Sequence, residues 1–247
     1  MLESRHISLI SVVVALGVLG VAAAAPLQAG AGGQIEVLIV TGGHSFDEQA
    51  FLAAFDSIGN VRYEHKRFGR GAETLLARES IDRYDVMVFY DMNNEYRSHR
   101  DAWLELLRAG QPTLFLHHAL GANTDWAEYG NIVGARANFG PKPAPGVTTW
   151  KHDVEFKVHI ADTAHPITRG LSDFTILDET YKNSFPVEDV HVLLTTEHES
   201  SDRVIGWTHK YEKSPIVYIQ LGHGPSAYNN RHFRLLLENS IRWLARP

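Results

Sequence analysis

The stretch Pro112-Thr-Leu-Phe-Leu-His-His-Ala-Leu-Gly121 decides the fold that we predict for this chain. It begins with a short apolar run, Thr113 to Leu116, which is typical of a buried strand and stops at two adjacent histidines. Ligands gather just beyond the carboxyl ends of parallel strands in open α/β sheets, so we expect His117 and His118 in such a place. Strand alternation would point the two side chains in opposite directions, so at most one faces a given pocket unless the strand has already turned.

Strand-like and helix-like segments alternate through the first half of the chain. Apolar runs that predict parallel strands, covered on both faces, lie at 35–41, 61–66, 85–91 and 113–116. Amphipathic spacing predicts helices between them, around 51–55, 72–78 and 99–109. This alternation is typical of βαβ units and therefore predicts a parallel sheet.

The second half is less regular and predicts some antiparallel strands. Polar and apolar residues alternate over 153–160, which indicates a half-exposed strand, and 204–209 with 216–221 indicates a hairpin. Further predicted elements are a short helix at 126–133, a loop at 140–146, a strand at 190–195 and a closing helix at 233–244. Nothing in this half marks a second domain.

Composition excludes several classes of function. The 247 residues are 44% apolar, carry a formal net charge of −6 and contain no Lys/Arg-rich run, which argues against a nucleic-acid partner. The absence of cysteine excludes disulfides, thiolate metal sites and cysteine nucleophiles. Gly42-Gly43 after the first strand fits neither G-x-G-x-x-G nor a Walker motif, so we expect no nucleotide. The count of 14 histidines is high, and imidazole is a common metal ligand.

The N-terminus predicts export. Residues 7–25 are apolar or small except for two serines, and Ala29-Gly30-Ala31 offers a small-x-small cleavage site. We therefore predict a signal peptide over 1–31 and a periplasmic or secreted domain over 34–247. The apolar run is also long enough to span a bilayer, so an uncleaved N-terminal membrane anchor remains the alternative.

Several motifs together resemble one known family, the ThuA-like (trehalose utilisation) proteins of the class I glutamine amidotransferase-like superfamily. The motifs are Val40-Thr-Gly-Gly-His-Ser-Phe46, Tyr84-Asp-Val-Met-Val-Phe-Tyr-Asp91, Phe115-Leu-His-His-Ala119, Trp207-Thr-His209, Val217-Tyr-Ile-Gln-Leu-Gly-His223 and Ile241-Arg-Trp243. The resemblance covers nearly all of 35–247. It implies a flavodoxin-like, doubly wound, mostly parallel sheet with helices on both faces, and a small carbohydrate ligand.

The resemblance also carries a contrast. In the amidotransferases of that superfamily, a sharp turn after this strand carries a catalytic cysteine, and the matching position here looks like His117. Because the chain has no cysteine, it cannot perform glutaminase chemistry by that route. Function must therefore be argued from the site rather than from the fold.

Three histidines are the candidate metal ligands. His44, His117 and His223 each follow an apolar strand or abut glycine, and three imidazoles with a carboxylate or water suit zinc or another divalent ion. Glu179 is the first carboxylate candidate and Asp91 the second. The alternative is that His44 and His223 only orient polar loops through backbone hydrogen bonds.

Other residues are expected to act beside these ligands. His117, Glu179 and His118 are the candidate catalytic groups, although His118 could instead hold a ligand imidazole in one tautomer. Candidates for substrate binding are Asp91, Tyr181, Lys182 and His209, but Tyr181 and Lys182 could equally form an exposed loop tip. One of the tryptophans at 126, 150 and 207 is expected to stack on a sugar face.

Three functional hypotheses follow. The first is an exported protein that acts on a trehalose-like disaccharide or its 3-keto derivative, in which a metal and a nearby proton carrier promote elimination or hydrolysis of the glycosidic bond. The second is a non-catalytic sugar-binding module. The third is a metal-dependent hydrolase of another small substrate. The sequence leaves the oligomeric state open.

Overall fold

The computed structural model describes residues 33–69, 75–94, 96, 99–140, 144–186 and 189–246. The signal peptide or anchor predicted over 1–31 lies outside the described residues, as do residues 72–74 of the helix predicted around 72–78. Residues 75–77 are not helical, and the helix in this region begins only at Arg78. Within the described ranges, no helix is both long enough and apolar enough to cross a membrane.

The described elements alternate between strands and helices in the first half and are mostly strands afterwards. The strands are β1 Ile35–Gly42, β2 Val61–Arg67, β3 Val86–Asp91, β4 Thr113–Leu116, β5 Ala135–Arg136, β6 Thr149–Ile160, β7 Phe174–Lys182, β8 Phe185–Pro186, β9 His191–Thr195, β10 Val204–Tyr211 and β11 Ser214–Ile219. The helices are α1 Glu48–Asp56, α2 Arg78–Ile81, α3 Arg100–Ala109, α4 Ala127–Val133, α5 Pro225–Tyr228 and α6 Arg231–Leu244. Short 3-10 helices cover His117–Gly121 and Pro166–Thr168.

Nine of the described strands form one mixed sheet in the order β2-β1-β3-β4-β11-β10-β9-β6-β7, and β5 pairs with β8. The first five strands in that order are parallel, and the remaining pairs are antiparallel. The parallel part has the flavodoxin-like order, with the switch point between β1 and β3. The predicted α/β fold class, parallel with an antiparallel C-terminal part, is therefore confirmed.

The inner parallel strands β1, β3, β4 and β11 are buried on both faces because each face packs against helices, whereas the edge strand β2 is only partly buried. Val37 and Ile39 of β1 join the core cluster that contains residues of α1 and α6. Leu38 and Val40 join the opposite cluster, which contains residues of α3 and α4. Successive side chains on a strand point to opposite faces, so a continuous apolar run is what such a position requires.

Two elements differ from the sequence prediction in a way that matters for the site. β7 continues through Lys182 as one strand, whereas Tyr181 and Lys182 were considered as an exposed loop tip. β6 begins at Thr149, four residues before the predicted strand, and its pairing with β7 is irregular between Lys151 and Val154. The pairing of β6 with β7 keeps both extensions in strand conformation.

Candidate functional site

A cleft of about 240 Å³ opens beyond the ends of the parallel strands. It is lined by His44, Met92, His118, Phe139, Trp150, His152, Glu179 and Tyr181. The loops after β1 and β3 meet here at Gly43, which has φ +70°. A Cβ at this position would lie 2.6 Å from the carbonyl carbon of Met92. Only glycine allows that approach without displacing backbone.

The backbone turns sharply at His117, immediately after β4. This residue has φ +50°, a conformation that side-chain-bearing residues rarely adopt. Its Nδ1–H donates to the Gln220 carbonyl oxygen over 2.7 Å, and the Tyr218 hydroxyl donates to the His117 carbonyl oxygen over 3.0 Å. Because a carbonyl only accepts, Nδ1 carries the hydrogen, and the lone pair of a neutral ring is then on Nε2. Strand alternation would point the side chains of His117 and His118 in opposite directions. Because the backbone turns here, both reach the site: His118 lines the cleft and His117 contacts Glu179.

Asp178 fixes the loop that carries His223. Its buried carboxylate accepts hydrogen bonds from the backbone N–H groups of Gly222 and His223, over 2.7 and 2.8 Å. Burial raises the pKa of Asp178, although these hydrogen bonds act in the opposite direction. Strand alternation then directs the next side chain, Glu179, to the opposite face of β7, where it reaches the cleft.

His117, Glu179 and His223 form what we call the His–Glu–His cluster. Glu179 Oε2 lies 2.9 Å from Nε2 of His117 and 3.2 Å from Nδ1 of His223, and these two nitrogens are 3.2 Å apart. Atoms from all three residues lie within 4.8 Å of one another, a spacing that could hold a metal ion. Ligand atoms about 2.0–2.1 Å from a tetrahedral zinc would be separated by roughly 3.3 Å.

The charge state of the cluster also fits a cation. Burial alone would raise the pKa of Glu179, but hydrogen bonds with His117 and His223 lower it overall, so the carboxylate is ionised. The hydrogen bond with Glu179 in turn raises the pKa of His223. Two imidazoles and one carboxylate are a common ligand set for catalytic zinc and non-haem iron. The hydrogen bond from His117 to Gln220 provides the orienting contact that metal-bound histidines usually have.

His44 belongs to the cleft wall rather than to this cluster. Its ring centroid lies 4.8 Å from that of His118 and 6.4 Å from that of His223. The three-histidine ligand set expected from the sequence is therefore replaced by one in which Glu179 takes the place of His44. Burial lowers the pKa of His44.

His118 is 3% exposed, and neither of its ring nitrogens has a hydrogen-bond partner among the described residues. Burial lowers its pKa well below the usual value, so the ring is neutral. A neutral imidazole can donate one hydrogen bond and accept another. His118 thus lines the cleft, but its two unpaired ring nitrogens are themselves buried.

The sequence prediction did not include His152, whose Nε2 lies 3.1 Å from Glu179 Oε1. A β-bulge in β6 brings it there, because three residue steps between Lys151 and Val154 oppose two on β7. Asp153 sits in the bulge with φ +53°. Without the bulge, strand alternation would place His152 on the same face as the buried Val154. The only signal in the sequence is an Asp, a residue that tolerates this backbone conformation.

Aromatic side chains form the rim of the cleft. Trp150 is 50% exposed, and its ring lies 5.9 Å from that of Phe139, which in turn lies 5.2 Å from the Tyr181 ring. The Tyr181 hydroxyl donates to His117 Nε2 over 2.9 Å. Tyr181 is thus buried in β7 beside the cluster, and its interpretation as an exposed loop tip was wrong.

Three residues expected to bind substrate lie outside the cleft lining. Asp91 points away from the cleft, and its Oδ2 accepts from the Tyr96 hydroxyl over 2.9 Å. Lys182 donates to the Ser201 carbonyl oxygen over 2.7 Å. His209 donates to the Ile132 carbonyl oxygen over 2.9 Å, beneath α4. Strand alternation explains the error for Asp91, since it is the neighbouring Tyr90 that packs on His118, with ring centroids 4.2 Å apart.

This combination of a flavodoxin-like sheet, a strained residue after its fourth strand and a histidine-rich cleft defines an amidotransferase-like fold without its cysteine. The ThuA family model, described as trehalose utilisation, matches residues 36–244. The chain therefore belongs to the ThuA family, which fits carbohydrate utilisation at the level of the family. A search of curated proteins found no match.

Solved structures share this fold. A ThuA-like protein from Parabacteroides merdae has a TM-score of 0.71 at 17% identity, over 85% of this chain and 90% of that one. A ThuA-like protein from Bacteroides uniformis has a TM-score of 0.68 at 20% identity, over 89% and 94% of the two chains. A glutamine amidotransferase from Thermotoga maritima has a TM-score of 0.53 at 12% identity, over 87% and 99%. At these identities, the likeness establishes the fold alone.

Proposed function

We propose that this ThuA-family protein is an exported, metal-assisted enzyme that cleaves the glycosidic bond of a trehalose-like disaccharide or its 3-keto derivative. The observation that carries the proposal is the His–Glu–His cluster, whose three ligand atoms converge beside a cleft with an aromatic rim. Export rests on the signal-like composition of residues 1–31. The sugar class rests on the family, and the chemistry rests on the site.

The cleft supports a ligand the size of one sugar ring. Its volume of about 240 Å³ is below the roughly 300–1,000 Å³ of pockets for drug-sized ligands. Trp150 offers an exposed aromatic face on which the apolar side of a pyranose can stack.

In this proposal the cluster holds a cation and His152 carries a proton. A divalent cation held by His117, Glu179 and His223 would polarise the carbonyl oxygen at C3 of a keto-sugar. That polarisation would make the hydrogen at C2 more acidic. His152, whose Nε2 faces Glu179 Oε1 at 3.1 Å, would accept the C2 proton through Nδ1, the other nitrogen of its ring.

Elimination then completes the cleavage. As the C2 proton leaves, its electron pair forms the C1–C2 double bond and the bond from C1 to the glycosidic oxygen breaks. The protonated His152 returns a proton to the departing oxygen, so the products are an unsaturated keto-sugar and an alcohol. In this scheme Glu179 would help to hold the cation and would orient His152 through Oε1, so that His152 and not Glu179 would carry the proton.

Metal content is the decisive measurement. Elemental analysis of the purified protein should find about one zinc, manganese or iron ion per chain, as expected for a site with three protein ligands. His117→Ala should lose it, because the substitution removes the ligand at the centre of the cluster. His191→Ala is the matched control, since His191 is a surface histidine paired with Asp162, and it should retain the metal.

An assay of 3-keto-glycoside cleavage follows if the metal is present. Absence of metal from all three proteins, even after supplementation, would contradict the metal-assisted mechanism. A protein that binds sugar without metal and without turnover would instead be a non-catalytic sugar-binding module.

A further inference from the structure

A second pocket of about 260 Å³, which we call the rear pocket, lies against the same cluster. Its lining includes Ser45, Asp47, Asp153, Leu177, His223 and Ser226. The mechanism proposed above assigns no role to this space. Its position beside the cleft indicates a role in ligand binding.

Adjacent residues in three separate segments line the two pockets. His44, His152 and Glu179 line the cleft. Their chain neighbours Ser45, Asp153 and Asp178 line the rear pocket. These three segments therefore form the boundary along which the two spaces lie side by side.

The His–Glu–His cluster lies at this boundary. His223 lines the rear pocket and contacts Glu179, which lines the cleft, at 3.2 Å. The rings of His152 and His223 lie edge to face with centroids 4.6 Å apart. A molecule that occupied both spaces would thus have its middle beside the cluster.

The chemistry of the rear pocket suits a second polyhydroxylated ring. Asp47 and Asp153 bring carboxylates, which accept hydrogen bonds from hydroxyl groups, and Ser226 brings a hydroxyl. Leu177 is 41% exposed and provides an apolar patch against which one face of a ring can pack. A few polar groups around an apolar surface are typical of small-molecule sites.

We propose that the rear pocket binds the second unit of a two-ring glycoside, so that the bond between the rings lies over the cluster. The proposal rests on the proposed function and adds to it a subsite for the leaving sugar. The two spaces have similar volumes, about 240 and 260 Å³, so each accommodates one ring. The site therefore selects disaccharides over single-ring glycosides.

Filling the rear pocket tests this subsite. Ser226→Trp places a large side chain there from an exposed position in α5, whereas Ser226→Ala leaves the space open. Binding of trehalose and of methyl α-glucoside to the metal-supplemented protein is measured by isothermal titration calorimetry. For trehalose, Ser226→Trp should raise Kd about tenfold or more, as expected when one or two hydrogen bonds are lost. Binding of the one-ring glycoside should be unchanged in both variants. Ser226→Ala removes one hydroxyl but leaves the space open, so it should weaken trehalose binding less than Ser226→Trp does.

The outcomes separate this inference from the proposed function. If both sugars bind and Ser226→Trp weakens neither, or weakens both equally, the rear pocket is not a second-ring subsite while the sugar site stands. If the parent protein binds neither sugar, both the proposed function and the subsite are overturned. Circular dichroism of Ser226→Trp confirms that the variant is folded.

Discussion

Asp91 is a buried carboxyl group whose environment favours its neutral form. The residue is 1% exposed, and its Oδ1 has no hydrogen-bond partner within the described part of the chain. Burial raises the pKa of Asp91 to about 7, despite the hydrogen bond from Tyr96. Below that pH, the folded protein holds a proton that the unfolded chain releases near pH 4.

This difference makes the stability of the protein fall as the pH rises. Between about pH 4 and pH 7 the folded state binds more protons at Asp91 than the unfolded state, so the free energy of unfolding decreases by up to about 4 kcal/mol. Asp91→Asn stays neutral throughout and should be more stable than the parent at pH 8, with the difference vanishing near pH 4. Urea unfolding of both proteins across this range measures it.

The difference between the two proteins isolates Asp91 from other titrating groups. A difference that is constant from pH 4 to pH 8 would mean that Asp91 does not hold its proton in the folded state. The asparagine keeps an oxygen for the Tyr96 hydroxyl and places its amide nitrogen where Oδ1 has no partner.

Individual site residues were predictable from the sequence where a strand end places them. His117 and His223 follow β4 and β11, and parallel neighbours in a sheet bring their ends together. His209 was misplaced because its strand could face either way, and the side chain reaches a carbonyl of α4 instead. Hydrogen-bonded partners that lie far apart in the chain, such as Lys182 and the Ser201 carbonyl, leave no local pattern to detect.

At the level of the element, the bulge in β6 shapes the cleft. Residues 154, 156 and 158 of β6 are buried in the core, whereas Trp150 and His152 line the cleft, although all five have the same parity in the chain. Strand alternation alone cannot produce both results. The parallel half of the fold was predictable because its apolar runs are regular, and this irregular strand was not.

The bulge depends on the backbone conformation of Asp153. Asp153→Val should lower the free energy of unfolding by roughly 1–3 kcal/mol, because a β-branched residue at φ +53° is strained. Asp153→Gly removes the same carboxylate without that strain and should stay within about 1 kcal/mol of the parent. Denaturant unfolding compares the two variants.

The glycine variant separates the backbone effect from loss of charge. Equal destabilisation of the valine and glycine variants would show that the carboxylate matters and that the backbone conformation does not. The expected ordering, with valine well below glycine, would instead identify the positive φ as the feature that the position requires.

At the level of the described domain, the cluster joins the two kinds of pairing in the sheet. His117 follows β4 and His223 follows β11, both in the parallel part, whereas Glu179 belongs to β7 at the antiparallel edge. A ligand held by all three would bind the folded chain and not the unfolded one. Binding is then linked to the stability of the whole domain.

Metal should therefore raise the melting temperature. Free metal at about 100 times its Kd stabilises a protein by about 2.7 kcal/mol, or roughly 5–10 °C in Tm for a domain of this size. Calorimetric scans with manganese or zinc, and with a chelator, should reveal this shift in the parent and in His191→Ala. Glu179→Gln removes the charged ligand and should lose most of the shift, and an undiminished shift in that variant would place the ion elsewhere.

The turn at His117 has a consequence for how this fold changes its chemistry. The corner is held through main-chain atoms, since the Tyr218 hydroxyl donates a hydrogen bond to the carbonyl oxygen of residue 117. The preceding strand, β4, is fully buried. The side chain at position 117 points toward Glu179 and His223. A substitution at residue 117 can therefore change the reactive group of the site while the surrounding scaffold stays the same.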